Sequence, residues 1–398
     1  MKRDRSNPKS MNLIVLENHV TSQRGGQELN LFAICRGLSQ RGHRITLLYL
    51  KPGDLLTQYQ SFCDRTIQIS AYGFDWRSFN STMRFLPSLL QIPQVSIAPD
   101  SLIFCNDYHF SLFAYALSFF HRLPYVCYLQ LPPINLNRQR KFGLRGVDRF
   151  ISVSEQTKQS WEKFGIDGDR IRVVYNGVDL NKFKPAEDLI QIRQQWGIVD
   201  DIKIVSYIGR IDREKGLETL IKATAILIKK GTRIKTLIAG KPVTHYSFSK
   251  RGECENEGMK YVQSLMQLAE AQGVSEHIQF VGHLADPVSL YQASDVNVLP
   301  SIWNEPCSLG LFESLACGVP KVASRIGGNP EILTEEFADY LFAPGDEKDL
   351  AERLDRVIDW REKDSALGIR CRQYVLNHFS HEKMLDGIEK NLIELAIA

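Results

Sequence analysis

Short apolar runs rich in β-branched residues alternate with longer amphipathic runs along almost the whole chain. No other feature restricts the fold as much. Residues 11–16 (MNLIVL) read as a buried strand, and a glycine-containing loop (QRGG, 23–26) follows. Residues 27–41 then place Leu29, Phe32, Ala33, Cys35 and Leu38 at mixed three- and four-residue steps, the spacing of a helix. Gly42 ends it, and 44–50 (RITLLYL) is a second strand. Strand, glycine loop, helix, strand is a βαβ unit, and such units imply a parallel sheet. Strands are expected again at 101–105, 125–129, 149–153 and 171–175. After a turn at Asn176-Gly177 the pattern restarts at 203–207 (KIVSY), with a helix over 217–230 and strands at 235–239, 278–281, 296–299 and 321–323. Residues 179–202 read as the linker between the two series, and 381–397 as a last helix with Met384, Leu385, Ile388, Leu392 and Leu395 on one face. The fold class is therefore α/β, with two Rossmann-like doubly wound domains, 1–185 and 186–378, and a terminal helix, 379–398. Two such domains facing each other leave an interdomain cleft. Ligands bind outside the carboxyl ends of the strands, and a cleft is a usual place for a small-molecule site.

Bulk properties agree with this. At ~100–200 residues per domain, 398 residues make two. No apolar stretch reaches the ~18 residues of a membrane span. The first residues, MKRDRSNPKS, have no apolar segment behind them and do not read as a secretory signal. Eight scattered cysteines form no C-x-x-C pair and no Cys/His set with zinc-ligand spacing, and a reducing, cytoplasmic location fits. Charge is uneven: residues 1–185 hold 24 Lys and Arg against 14 Asp and Glu, and the remainder 25 against 32. The first half therefore meets something anionic, or carries a solvated basic face.

Three places carry candidate chemistry. Gly25-Gly26 lies between strand and helix, where backbone N–H groups meet anions; simple turn geometry accounts for it equally well. It is not G-x-G-x-x-G, so a nicotinamide-cofactor fingerprint is absent. The octapeptide GRIDREKG (209–216) follows the first strand of the second half, and Arg210 and Lys215 flank its loop. An arginine fork and a lysine point charge together suit a diphosphate, although a solvated charged loop has the same composition. The third is WNEPCSLGLFESLACGVP (303–320). Ser308 suits the N-cap of a helix over 309–316, and Gly318 its C′ position. Glu305 then stands before the helix and Glu313 within it. Two acids beside open N–H groups suit a ligand with many hydroxyls and one diphosphate, which describes a nucleotide sugar.

At this point the sequence resembles the retaining glycosyltransferases of family 4, which have the GT-B fold. The matching pieces are GGQELNLFAICRGLSQRGHRITLL (25–48), VSEQTKQ (153–159), VVYNGVD (173–179), YIGRIDREKGLETLI (207–221), VGHL (281–284), SDVNVLPS (294–301), NEPCSLGLFESLACGVPKVAS (304–324) and GGNPEIL (327–333). They stand in family order across nearly the whole chain. The resemblance implies that Glu305 and Glu313 match the E-x7-E pair, the first acid on the transferred sugar and the second on the ribose. It implies that Arg210 and Lys215 hold the diphosphate, and that backbone N–H groups near Cys307, Ser308 and Leu309 face sugar and phosphate. Gly25 and Gly26 match a loop near the diphosphate and the acceptor, and Gly282, His283 and Leu284 lie where the base is read. Family members need no bound metal or other cofactor. The terminal helix is expected to cross back onto the first domain. In two places the chain departs from the family pattern. Gln130 stands where a histidine often contacts the donor sugar, and Cys307-Ser308 stands where Phe-Gly is commoner. Glutamine hydrogen-bonds a hydroxyl but does not ionise near neutrality. His109, in NDYHF, reads as an acceptor-side or structural residue.

The resemblance implies a hexosyltransferase that uses a nucleotide sugar and a glycan, lipid-linked or small-molecule acceptor, in surface polysaccharide or glycoconjugate synthesis. Gln130 motivates a different reading, a non-catalytic nucleotide-sugar-binding subunit or sensor. A phosphorylase or synthase acting on sugar phosphates is a third. The acidic second half argues against nucleic acid. Peripheral contact with the inner face of a membrane is expected from Arg138, Arg140, Lys141, Arg145 and Arg149, and from Phe79, Met83, Phe85, Leu86, Leu89 and Leu90. A solvated loop and a buried helix explain the same residues.

Overall fold

The computed structural model describes residues 10–23, 25–74, 79–92, 98, 100–134, 136–198, 202–243 and 251–397, with the backbone alone at Ser81 and 251–256. Residues 1–9, Arg24 of the glycine loop and 244–250 lie outside them. The chain divides into two compact units. One runs up to Tyr175 and takes in the chain again from Met384; the other is Asn176–Lys383.

The first unit is built on β1 (Asn12–His19), β2 (Arg44–Lys51), β3 (Arg65–Gln68), β4 (Ser101–Cys105), β5 (Tyr125–Leu129), β6 (Arg149–Ser152) and β7 (Ile171–Val173). They lie in the order β3-β2-β1-β4-β5-β6-β7, all parallel. Its helices are α1 (Gly26–Gln40), α2 (Leu56–Phe62), α3 (Phe79–Gln91), α4 (Ser111–His121), α5 (Arg138–Leu144) and α6 (Glu155–Lys163). Alternate strand residues, among them Ile14, Leu16, Ile103, Cys105, Tyr125 and Cys127, pack with Phe113, Leu117 and Trp161. The residues between them, such as Leu13, Val15, Leu102, Phe104 and Val126, are equally buried. A sheet covered on both faces is why these strands read as unbroken apolar runs. β3 escapes sequence reading because RTIQ holds one apolar residue; its pairing with β2 makes it a strand. β1 extends past 16 through Glu17, Asn18 and His19 because its ladder with β2 continues to His19↔Lys51.

The second unit holds α7 (Leu189–Gln195), β8 (Lys203–Ile208), α8 (Leu217–Lys229), β9 (Ile234–Ala239), α9 (Arg251–Ala271), β10 (Ile278–Gly282), α10 (Val288–Ala293), β11 (Val296–Leu299), α11 (Leu309–Ala316), β12 (Lys321–Ser324), α12 (Asn329–Ile332), β13 (Leu341–Phe342), α13 (Glu347–Val357), α14 (Trp360–Lys363) and α15 (Leu367–His378). Its parallel sheet runs β10-β9-β8-β11-β12-β13. The strand order reverses at β8/β11, as it does at β1/β4 in the first unit. The described residues of the expected 179–202 linker, 179–198 and 202, are not free of the second unit. Asp188 caps α7 by accepting from Gln191 N, and Ile192 and Trp196 pack with Ile198, Ile204 and Leu237.

The last helix, α16 (His381–Ile397), begins in the second unit and, from Met384, belongs to the first. His381 N donates to Val178 O, and Val178 N donates to Phe379 O, both at 3.0 Å. Within the first unit Leu385 fills the space where Gly37 has no side chain. Arg41 pairs with Asp386 (2.8 Å) and Glu389 (2.6 Å), and Arg149 donates to Asn391 O (3.0 Å) and Glu394 (2.9 Å). His43 Nδ1 accepts from Met11 N, which leaves Nε2–H to donate to Glu389 at 2.8 Å. Met384, Leu385, Ile388 and Leu392 are buried as their spacing predicts, and Leu395 is half-buried.

Candidate active site

In the second unit the candidate side chains Arg210, Lys215 and Glu305 cluster in the loops at the carboxyl ends of β8 and β11, on both sides of the switch point. After β8 the chain runs through Gly209-Arg210-Ile211-Asp212 into one turn of 3-10 helix, Arg213–Lys215, and then α8. Ile302 N donates to Glu214 O (2.9 Å), tying this loop to the loop that follows β11. Across that tie the buried Lys215 ammonium donates to Glu305 Oε1, which also accepts from Ser301 Oγ at 2.5 Å. Burial pushes the Glu305 carboxyl up. The Lys215 charge and hydrogen bond, the Ser301 hydroxyl and the Arg210 charge outweigh this and hold it below the ordinary carboxylate range. Gly328 N supports the Glu305 backbone from below, donating to its carbonyl at 2.7 Å. Arg210 is a third exposed; its guanidinium lies 3.7 Å from Asp212.

α11 begins beside Glu305. Ser308 takes the N-cap position as its type predicts, but its hydroxyl makes no capping hydrogen bond. The N–H groups of Leu309 and Gly310 have no carbonyl behind them in the helix and stay available to an anion. At the other end Gly318 N donates to Leu315 O and Val319 N to Ser314 O, a Schellman closure. Asn176 Nδ2 donates to Cys307 O (3.0 Å), so the Asn-Gly turn anchors the approach to the helix. The Cys307 thiol is pushed up to about 12 by burial, and is not a nucleophile near neutrality.

Glu313, one turn and more into α11, sits apart from the Glu305–Lys215 pair. Tyr291 OH donates to it at 2.8 Å, and burial raises its carboxyl above the ordinary range despite that bond and the Lys321 charge. Tyr291, Ser301 and Lys321 are the partners of these two acids in the structure, and sequence reasoning did not single them out as site candidates. Lys321 alone carried a signal: one charge opening an apolar strand, KVAS. Gly282, His283 and Leu284 close β10 at the sheet edge, with Gly282 O accepting from Gly240 N (2.8 Å) and His283 exposed.

Gly25, Gly26 and Gln130 belong to the first unit. Gly25 is the N-cap of α1 and Gly26 its first residue. Gln130 follows β5 and is 8% exposed. Its Nε2 donates to Asn106 Oδ1 (2.6 Å), and its Oε1 accepts from Asn30 Nδ2 (3.3 Å). Asn106 in turn donates to Glu17 (2.8 Å), whose carboxyl is pushed to about 8 by burial and by the nearby Glu28. His109 Nδ1 lies 2.6 Å from Asp107 Oδ1. Burial raises the Asp107 carboxyl, and the His109 contact more than offsets it. No group of His, Cys, Asp and Glu among the described residues is arranged to hold a metal ion.

Two family models match this architecture domain by domain: Glycosyltransferase Family 4 over residues 24–182, and Glycosyl transferases group 1 over 189–374. A D-inositol 3-phosphate glycosyltransferase of Saccharomonospora viridis is 31% identical over 226 residues, 55% of this chain and 49% of that protein. The chain thus spans about half the length of several curated relatives it matches. An uncharacterized glycosyltransferase of Methanocaldococcus jannaschii is 26% identical over 89% of this chain and 88% of its own. Among solved structures, Anabaena HepE in complex with UDP superposes with a TM-score of 0.78 at 22% identity, covering 96% of this chain and 99% of that one. Sucrose-phosphate synthase from Thermosynechococcus elongatus gives 0.75 at 21%, covering 97% and 99%. A Family 4 glycosyltransferase model and then a group 1 glycosyltransferase model thus match the two Rossmann-like domains in turn, and the fold is of the GT-B type.

Proposed function

We propose that the chain transfers a hexose, with retention and without a metal ion, from a UDP- or GDP-linked donor to a glycan, lipid-linked or small-molecule acceptor. The observation that carries this is the charged, buried Glu305 held between Lys215 and Ser301 beside the open N-terminus of α11. A carboxylate so placed takes hydroxyl hydrogen bonds. The Lys215 ammonium keeps N–H groups beyond the one given to Glu305, and with Arg210 and the helix N-terminus it offsets the charge of a departing diphosphate. Those cations do the work that a metal ion does in other sites, and the leaving phosphate takes the acceptor proton. The test is release of nucleoside diphosphate from a panel of UDP-, GDP- and ADP-sugars, with and without bacterial membrane extract. One donor consumed by the wild type, and slowed on the order of 10–100-fold in Glu305→Ala, is expected from the ~1.5–3 kcal/mol of a charged hydrogen bond.

A second reading, donor binding without turnover, has one observation in its favour: both ends of the Gln130 amide are engaged inside the first unit. A folded protein that binds a donor and consumes none would put this reading first.

The partner surface we propose is an anionic membrane, met from the cytoplasmic side. In α3, Phe79, Met83, Leu86 and Leu90 recur at helical spacing and are exposed, while Phe85 and Ser88 face inward and Leu89 is half-buried. His121 Nε2 donates to Ile92 O (2.8 Å), bringing the end of α4, with exposed Phe119 and Phe120, to the end of α3. Arg84, Arg122, Arg138, Lys141 and Arg145 are exposed cations of the same unit; Arg149 is engaged by α16. Vesicles with phosphatidylserine should sediment the protein at low salt and release it at high salt. No sedimentation at low salt removes the idea.

A further inference from the structure

Across three neighbouring strands the second unit carries a row of buried polar residues among valines. Ser206 of β8, Asn297 of β11 and Lys321 of β12 stand in register, and each is fully buried. Ser294 Oγ lies 2.7 Å from Ser206 Oγ, Asn297 Nδ2 donates to Ser206 Oγ at 2.6 Å, and Asn297 Oδ1 accepts from the Lys321 amine. The row ends beneath α11. A Cβ placed on Gly310 would stand 3.5 Å from Lys321 Nζ, 3.3 Å from Tyr291 OH and 3.8 Å from Ser308 Oγ. The amine therefore sits under the first turn of the helix, at the position where that turn has no side chain to separate them. The ionisable groups around it are Glu313 on α11, Tyr291 on α10, Glu305 in the loop after β11 and Lys215 in the loop after β8; Lys182 and Asp286 lie beyond Glu313.

We propose that Lys321 is a positioning residue whose charge follows the occupancy of the α11 N-terminus: it takes up a proton when the diphosphate of a donor docks there and returns it when the nucleotide leaves. This rests on the proposed donor site. The physical reason is a near balance. Burial presses the Lys321 amine down to about 7, Glu313 and Glu305 pull it up, and Lys215 pushes it down again. An anion arriving at the far side of a glycine backbone adds negative potential at the amine, and the charged form becomes the favoured one. The proton comes from solvent and goes back to solvent, so the transfer reaction itself gains and loses none. Charged, Lys321 adds to the field of the helix N-terminus; neutral, it leaves no unpaired buried cation in the empty site.

Calorimetric titration of UDP and of GDP tests this. It is run at about pH 8, where a nucleoside diphosphate is already fully ionised, in two buffers of different ionisation enthalpy. The wild type should take up a substantial fraction of a proton per ligand bound, and its affinity should fall several-fold between pH 7 and 9. Lys321→Met should bind without uptake. Asn297→Asp sets a carboxylate against the amine and keeps it charged beforehand, so it too should bind without uptake, with affinity flat across that range. Equal uptake in wild type and Lys321→Met, or binding by the wild type with no uptake, overturns the proposal and leaves the donor site standing. If neither ligand binds the folded wild type, both fall.

Discussion

Lys215 and Glu305 are 90 positions apart in the chain, yet their side chains meet as a buried ion pair. Removing one partner of such a pair costs about 3–5 kcal/mol, because the survivor is left uncompensated. Lys215→Met should therefore lower unfolding free energy by about 3 kcal/mol, the lower end, since Ser301 still serves the carboxylate. The pH dependence has a definite sign. A depressed carboxyl contributes stability above its unfolded value and loses it as pH falls through the folded one. Without Lys215 the Glu305 carboxyl rises, so the deficit should narrow toward pH 4, and Lys215→Met/Glu305→Gln should recover most of it in urea melts. Lys321 gives the same sign of pH dependence in a higher window. Its amine is depressed to about 7 from 10.5, so between those values the unfolded chain binds a proton that the folded chain does not. Stability relative to Lys321→Met should rise with pH through that window, by up to about 1.4 kcal/mol per pH unit, and be flat below pH 6. Parallel slopes for the two proteins would show that the amine is not depressed. The candidates Arg210, Lys215 and Glu305 stood out as charges in the loops that follow strands, and the family resemblance is what implied their roles. Their partners did not stand out, because spacing along a chain does not say which hydroxyl or amine arrives from another strand.

At the scale of elements, the loops that hold the site are set by a few backbone positions. Gly216 has φ +62° between the 3-10 turn and α8, and a Cβ there would run into the Pro300 carbonyl. A side chain must pay the left-handed penalty of about 1–2 kcal/mol and also push the β8 and β11 loops apart. Gly216→Ala should cost more than 2 kcal/mol and weaken donor binding as well, because the tie between Ile302 N and Glu214 O is what brings Lys215 to Glu305. Melting together with UDP titration separates the two effects; lost stability with unchanged binding would show that the loops tolerate the shift. The strands at 101–105, 125–129 and 296–299 and the helices at 309–316 and 381–397 were legible to the residue. Buried runs, a Ser N-cap and a Gly C′ mark their ends locally. β13 was not, since two residues, Leu341 and Phe342, become a strand only by lying beside β12. α7 was missed for the same reason: its apolar residues gain a partner only from the second unit's core.

At the scale of the whole molecule the chain order and the folding units do not coincide. The second unit is continuous, Asn176–Lys383, whereas the first needs the chain from Met384 onward to close. α16 places Met384, Leu385, Ile388 and Leu392 in the first unit's interior, each at most 2% exposed. At about 1.5–3 kcal/mol per buried side chain, an upper estimate because the unfolded chain is already partly compact, their loss approaches the whole ~5–15 kcal/mol of a domain's stability. The ion pairs of Arg41 with Asp386 and Glu389, and of Arg149 with Glu394, lie at the partly exposed edge and contribute little beside it. Residues 10–175 expressed alone should therefore fail to reach a cooperatively melting state, and a separate peptide of residues 381–397 should restore one. Residues 176–380 should melt cooperatively by themselves and still bind the nucleotide, because Lys215, Glu305 and the α11 N-terminus all lie within them. Cooperative melting of 10–175 without the helix would show that the apolar face of α16 covers the first unit without holding it together.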